Sequence, residues 1–168
     1  MKLGLLTAPL PEVPLYDIAD WASAQGFEML EVCCWPKSAG ANRRYAGITH
    51  IDVDGISQGQ SDEIVGELKK RKITMSALGY YPNNLHPDPA HRTEVNEHTK
   101  KVIRAAGLMG IPVVSTFIGA DAKKTQEENW EDAKKVWKDI VKYAEDCNVK
   151  IAIENCPMIF SKIGRAHV

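Results

Sequence analysis

The sequence lacks the features that would assign a chain of 168 residues to several large classes of protein. It has no apolar run long enough for a signal peptide core or a membrane span, because the first apolar stretch ends before Pro9 and Pro11. Neither sign of charge dominates, since 21 Lys and Arg residues stand against 22 Asp and Glu residues. We therefore expect a cytoplasmic protein that binds neither membrane nor nucleic acid and takes a small ligand.

Cysteine is scarce, and its spacing does not suggest a metal site. No two of the four cysteines are separated by two residues, as in a metal knuckle or a redox motif; they are Cys33, Cys34, Cys147 and Cys156. We expect reduced and mostly buried thiols.

The sequence does contain a regular alternation of strand and helix patterns. Short apolar runs predict five strands, at residues 2–8, 29–35, 73–81, 111–118 and 151–153. Helical spacing of apolar residues predicts four helices between them, and the last three have Ser61, Asp88 and Asn129 as N-caps. This order is typical of a parallel sheet with helical crossovers, either a barrel or an open doubly wound sheet.

Two observations favour the barrel. No glycine-rich phosphate loop follows any predicted strand, which disfavours a nucleotide-binding open sheet. Candidate ligand groups follow strands two, three, four and five alike, and a ring of strand ends around one mouth explains that distribution better than a single crevice.

Glu154 is the first candidate for chemistry. It follows the run Ile151, Ala152 and Ile153, which is typical of a strand buried on both faces. In parallel α/β folds, ligands bind at the carboxyl ends of strands, where a rigid sheet holds the side chains. The alternative is a glutamate that caps the following turn or faces water.

The other candidates are aromatic and polar residues near the ends of the earlier strands. An apolar wall with fixed polar groups suits a sugar, and the side chains of that kind are Trp35, Tyr80, Asn84, His86 and Thr116. Each also has a structural explanation, as rim packing, a turn former or a loop histidine. The long segment 36–60 is expected to cover the mouth, with Arg43 or Arg44 available to an anionic substrate.

Four stretches together resemble the sugar phosphate isomerase/epimerase family of xylose isomerase-like barrels: residues 35–36, 83–89, 116–119 and 151–155. The resemblance implies a (β/α)₈ TIM barrel of which this chain holds about the first five strands. Residues 1–162 would be the N-terminal part of that single domain. Residues 163–168 look like a translated sequencing adapter and are expected to be a non-native tail.

The resemblance also implies a chemistry for the full-length protein. A divalent metal ion, Mn²⁺, Mg²⁺, Co²⁺ or Zn²⁺, would assist proton transfer alpha to the carbonyl of a sugar or sugar phosphate. Glu154 would bind the metal and act as one acid/base, opposite a carboxylate after strand eight. The other ligands would follow strands six to eight, so this chain alone is expected to be inactive and to hold metal weakly. The strand edges left open in a partial barrel are expected to make it dimerise or aggregate.

Two other functions stay open at the level of sequence. An apurinic endonuclease of the same superfamily would need histidine ligands after strands three and four and a basic surface, whereas residues 113–119 contain no histidine and the net charge is -1. A non-catalytic sugar-binding barrel is the other alternative.

Overall fold

Five parallel strands and four helices alternate along the chain in a computed structural model that describes residues 1–37 and 47–156. The strands are β1 Gly4–Leu6, β2 Met29–Cys33, β3 Thr74–Gly79, β4 Val113–Thr116 and β5 Lys150–Ile153. The helices are α1 Leu15–Ala24, α2 Gln58–Lys70, α3 Pro89–Met109 and α4 Gln126–Asp146. Each strand pairs in parallel with the next, in the order β1-β2-β3-β4-β5, which confirms the predicted topology.

The two faces of the sheet differ in what covers them. Leu30, Val32, Leu78 and Val114 are fully buried and pack in one core with residues of the helices. Because side chains alternate along a strand, their neighbours lie on the opposite face. We call that opposite face the lumen face; its residues include Glu31, Gly79, Ser115 and Ala152, of which the last three align across β3, β4 and β5.

The start of α2 differs from the prediction. Ser57, not Ser61, is the N-cap, and it forms a capping box in which its hydroxyl accepts from the Gln60 backbone N–H. Ser57 has the extended backbone that a cap requires, whereas Ser61 lies inside the helix and donates its hydroxyl to the Ser57 carbonyl.

The start of α4 is also displaced from the predicted residue. Thr125 caps this helix in a capping box with Glu128. Asn129 is buried within the first turns, where its amide donates to the carbonyl oxygens of Asp121, Lys124 and Thr125. The third predicted cap, Asp88, is confirmed, since its carboxylate accepts from two backbone N–H groups of α3.

The long segment 36–60 is only partly a loop. Its described second half buries four apolar side chains in the core, those of Ile48, Ile51, Val53 and Ile56. This part of the segment therefore belongs to the fold. Arg43 and Arg44 lie outside the described residues, so their expected place over the mouth stays a prediction.

The predicted burial of β5 on both faces is wrong for this chain. Lys150, Ala152 and Ile153 are exposed, and 38% of Ile153 is accessible. The other edge of the sheet is similar, since Leu6 in β1 is 37% exposed. Within the described ranges each of these strands has one neighbour instead of two, and the lumen face lacks an opposing layer of side chains.

The described residues include no helix long and apolar enough to span a membrane. All four cysteines are free; Cys33 and Cys34 are buried, and Cys147 and Cys156 are half-buried. Burial raises the pKa of the Cys33 thiol to about 11, which keeps it protonated and unreactive.

The open edges lead to a prediction about this polypeptide of 168 residues in isolation. Two sheet edges with unpaired backbone groups and an open lumen face should drive self-association. Size-exclusion chromatography coupled to light scattering should show dimers or larger species. Replacing Leu6 and Ile153 with lysine should shift the distribution towards monomer, because charged edge residues oppose strand pairing. A cooperatively melting monomer of the unsubstituted chain would contradict the prediction.

Candidate active site at the carboxyl end of the sheet

Glu154 lies directly beyond the carboxyl end of β5. Its backbone N–H donates to the Thr116 carbonyl oxygen at 2.8 Å, which continues the ladder between β4 and β5 by one residue. The side chain itself is exposed. Partial desolvation, followed by the negative charge of Glu31, raises the pKa of the Glu154 carboxyl. The sheet thus holds an accessible carboxylate of increased proton affinity at the position predicted.

A second carboxylate, which the sequence analysis did not single out, faces the same side. The Tyr81 hydroxyl donates a hydrogen bond to Glu31 Oε1 on the lumen face. Burial, and then this hydrogen bond and the charge of Glu31, raise the pKa of Tyr81, while a hydrogen bond with Ser115 opposes that shift. The Tyr81 phenol is therefore neutral, and its hydrogen bond connects the end of β3 with β2.

Gly79 makes room for this arrangement. A Cβ atom at Gly79 would lie 3.0 Å from Tyr81 Cε2 and 3.1 Å from Glu31 Oε1. The ring of Tyr81 consequently lies across the lumen face, and its centroid is 5.0 Å from that of Phe117. We call these residues the lumen cluster: Glu31, Tyr81, Ser115, Phe117 and Glu154.

Two predicted substrate residues lie on the other side of the sheet. Trp35 and Tyr80 are 6% and 3% exposed, and their rings meet edge to face at 4.8 Å. Tyr80 also packs against His98 of α3 at 4.6 Å. His98 Nε2 is 2.8 Å from the Cys34 carbonyl oxygen, so this aromatic row connects the sheet to α3.

Asn84 and Thr116 are both fully buried and contact each other. The Asn84 amide donates to the Phe117 carbonyl at 2.8 Å and to Thr116 Oγ1 at 3.3 Å. Thr99 of α3 donates its hydroxyl to Asn84 Oδ1 at 3.0 Å. Buried polar groups need such partners, and this network fixes the loop after β3 against β4 and α3.

His86 lies in the loop before α3 and is half-buried. Its Nδ1 accepts from the Asp88 backbone N–H, and its ring contacts that of His91 at 4.5 Å between centroids. The structure therefore brings Asn84 and Thr116 together and pairs Trp35 with Tyr80. His86 contacts neither pair in this way and lies against Asp88 and His91 instead. Contact of these five residues with a substrate stays a prediction.

Asn83 joins the loops after β3 and β4 through side-chain hydrogen bonds, which we call the Asn83 clasp. Its Oδ1 accepts from the backbone N–H groups of Leu85 and Ala120, and its amide donates to the Ala120 carbonyl at 2.8 Å. Gly119 lies inside the clasp with φ +91. A Cβ atom there would come within 2.4 Å of the Leu85 nitrogen.

The described residues supply only part of a metal site. They contain no group of three or more His, Cys, Asp or Glu side chains that could hold a metal ion. Glu154 is one oxygen donor of a suitable kind, whereas a divalent cation needs several. The described residues alone therefore do not fit a tightly bound metal, and further donors would have to come from outside them.

The comparisons with known proteins identify the family. The model of the family described as "Xylose isomerase-like TIM barrel" matches residues 19–167. The chain belongs to this family, and its five-stranded sheet is a partial TIM barrel. Its sequence is also 29% identical over 180 residues to the uncharacterized protein YfiH of Bacillus subtilis (strain 168), with 92% of this chain and 55% of that protein covered.

Solved structures share the fold. A D-psicose 3-epimerase from Clostridium cellulolyticum H10, solved with D-tagatose, has a TM-score of 0.68 at 20% identity, with 92% of this chain and 52% of that one covered. An IolI protein with a bound zinc atom has a TM-score of 0.64 at 19% identity, with coverage of 91% and 51%. The chain thus spans about half the length of the proteins it matches.

The Asn83 clasp leads to a prediction about stability. In the full-length protein, Gly119→Ala should lower the free energy of unfolding by about 3 kcal/mol or more, because it adds backbone strain at positive φ and a clash with main-chain atoms. Gly55→Ala is the matched control, since Gly55 has φ +66 but open space around it. It should cost about 1 kcal/mol from strain alone. Equal losses of unfolding free energy in the two variants, measured by urea denaturation, would contradict the prediction, because the contacts around Gly119 would then add no cost beyond backbone strain.

Proposed function

We propose that the full-length protein is an isomerase or epimerase that acts on a sugar or sugar phosphate, with Glu154 as a catalytic acid/base. The observation that carries this proposal is an accessible carboxylate held at the end of β5 by the ladder to Thr116. Membership of the xylose isomerase-like family supports it, as do neighbours of the same fold that are named as sugar epimerases.

The reaction requires removal of a proton from the carbon next to a carbonyl. Glu154 takes this proton, the electron pair of the broken C–H bond forms the C=C bond of an enediol-type intermediate, and the C=O electron pair moves onto the carbonyl oxygen. Return of the proton to the former carbonyl carbon, with the proton of the adjacent hydroxyl moving to that oxygen, gives an isomer. Delivery of a proton to the opposite face of the original carbon, by the carboxylate expected after strand eight, re-forms the carbonyl and gives an epimer.

A divalent metal is part of the proposal for the full-length protein, and the same neighbours include one with a zinc atom. When bound, such an ion stabilises the negative charge that develops on the substrate oxygen. Glu154 would be one of its ligands, and the remaining ligands would follow strands six to eight.

The experiment is Glu154→Gln in the full-length protein, assayed against D-fructose, D-tagatose and their phosphates. The substitution keeps the size of the side chain but removes its charge and its basicity, so kcat should fall by about 100-fold or more while thermal stability is retained. Glu145→Gln on the exposed side of α4 is the matched control and should leave kcat unchanged. Near-normal turnover by Glu154→Gln would reject the assignment.

The expectation that the substrate carries a phosphate concerns Arg43 and Arg44, which lie outside the described residues. If Arg43 or Arg44 meets a phosphate, replacing both with alanine should raise KM for the sugar phosphate and leave KM for the free sugar unchanged. The ratio of the two KM values in wild type and variant is the measurement. An unaltered ratio would remove the two arginines from the site.

A further inference from the structure

We propose that the ring of Tyr81 forms the floor of the sugar-binding site, and that Glu31 is the positioning residue that holds this ring over the lumen face. The inference rests on the proposed function for its ligand class, a ketohexose. Sequence patterns had assigned that role to Tyr80, the neighbouring residue.

Strand alignment places Tyr81 beside Glu154. Gly79, Ser115 and Ala152 align across β3, β4 and β5, and Tyr81, Phe117 and Glu154 each follow two residues later. An alternating strand keeps residues two apart on the same face. Tyr81 and Phe117 therefore lie beside Glu154 at the carboxyl edge of the lumen face, where a substrate of Glu154 has to bind.

The contacts of the Tyr81 ring set its orientation. A tyrosine at the end of a strand is free to point away from the sheet, but this one lies back over Gly79, with its Cε2 only 3.0 Å from where a Cβ atom would be. Its hydroxyl donates to the Glu31 carboxylate from β2, and its ring contacts that of Phe117, which follows β4. Contacts with residues of both neighbouring strands restrict the rotation of the ring.

The aromatic surface of Tyr81 is chemically suited to a sugar. A sugar presents C–H groups on one face, and these pack favourably on the flat surface of an aromatic ring. Tyr81 and Phe117 provide two such rings, with centroids 5.0 Å apart and planes tilted by 52°. Tyr81 remains half-buried beside the core, so part of its surface is open to the lumen. An immobilised ring loses little entropy when a ligand binds, which is why the positioning by Glu31 matters.

The test is equilibrium binding of D-fructose and D-tagatose to the full-length protein by calorimetry. Tyr81→Ala removes the floor and should weaken binding about tenfold, which is the loss of one aromatic contact. Glu31→Gln keeps an acceptor for the Tyr81 hydroxyl and should change affinity by less than about threefold. Tyr81→Phe and Glu31→Ala keep the ring but remove the hydrogen bond that positions it, so both should fall between these limits.

Tyr16→Ala is the matched control, since Tyr16 is also half-buried but lies on α1, where it stacks with Arg71. Affinity should be unaffected. In a turnover assay the Tyr81→Ala defect should appear in KM more than in kcat, whereas a purely structural role would lower the folded fraction and leave KM unchanged.

The outcomes separate this inference from the proposed function. Ketohexose binding with unchanged affinity in Tyr81→Ala would overturn the inference alone. Tyr81-dependent binding without any turnover would support the inference and reject the isomerase or epimerase assignment. A wild-type protein that binds neither ketohexose would overturn both.

Discussion

The parallel pairing of each strand with the next is the constraint on which the site depends. Because β1 to β5 run in the same direction in sequential order, every chain segment that leaves a strand emerges at the same edge of the sheet. Residues as distant in sequence as Glu31 and Glu154 thereby come close enough for one carboxylate to affect the pKa of the other. No local motif could produce that proximity.

The topology and the position of Glu154 could be predicted because they depend on hydrophobic runs and their order. The lumen cluster depends on strand parity, which one residue reverses. Tyr80 and Tyr81 are adjacent and chemically alike, yet Tyr80 packs towards α3 and Tyr81 bonds to Glu31. A shift of register between β2 and β3 at Leu30 and Glu31 makes this parity harder to predict. The one visible signal was Glu31 itself, a charge inside an apolar strand.

The predicted N-caps of α2 and α4 were wrong for a related reason. Ser57 and Ser61, or Thr125 and Asn129, are four residues apart and all are good cap formers. The deciding feature in each pair is the residue three positions later, because Gln60 and Glu128 complete capping boxes with Ser57 and Thr125. Asn129 is instead used to tie down the loop before α4.

Two layers of polar contacts make the carboxyl edge rigid. Below the loops, Asn84 connects β4 and α3 through Thr116 and Thr99. Above them, Asn83 fastens the loop after β3 to Ala120 of the next loop. Amides that use both their donor and acceptor groups within the protein are costly to disturb, so these contacts fix the two loops.

That rigidity explains how the site tolerates two carboxylates on one wall. Glu31 receives the Tyr81 hydroxyl, so part of its negative charge is satisfied within the protein, while Glu154 stays exposed. A flexible edge would let the two like charges move apart. Holding them in place creates a negative potential at the mouth, which favours a cation there and contributes to the raised pKa of Glu154.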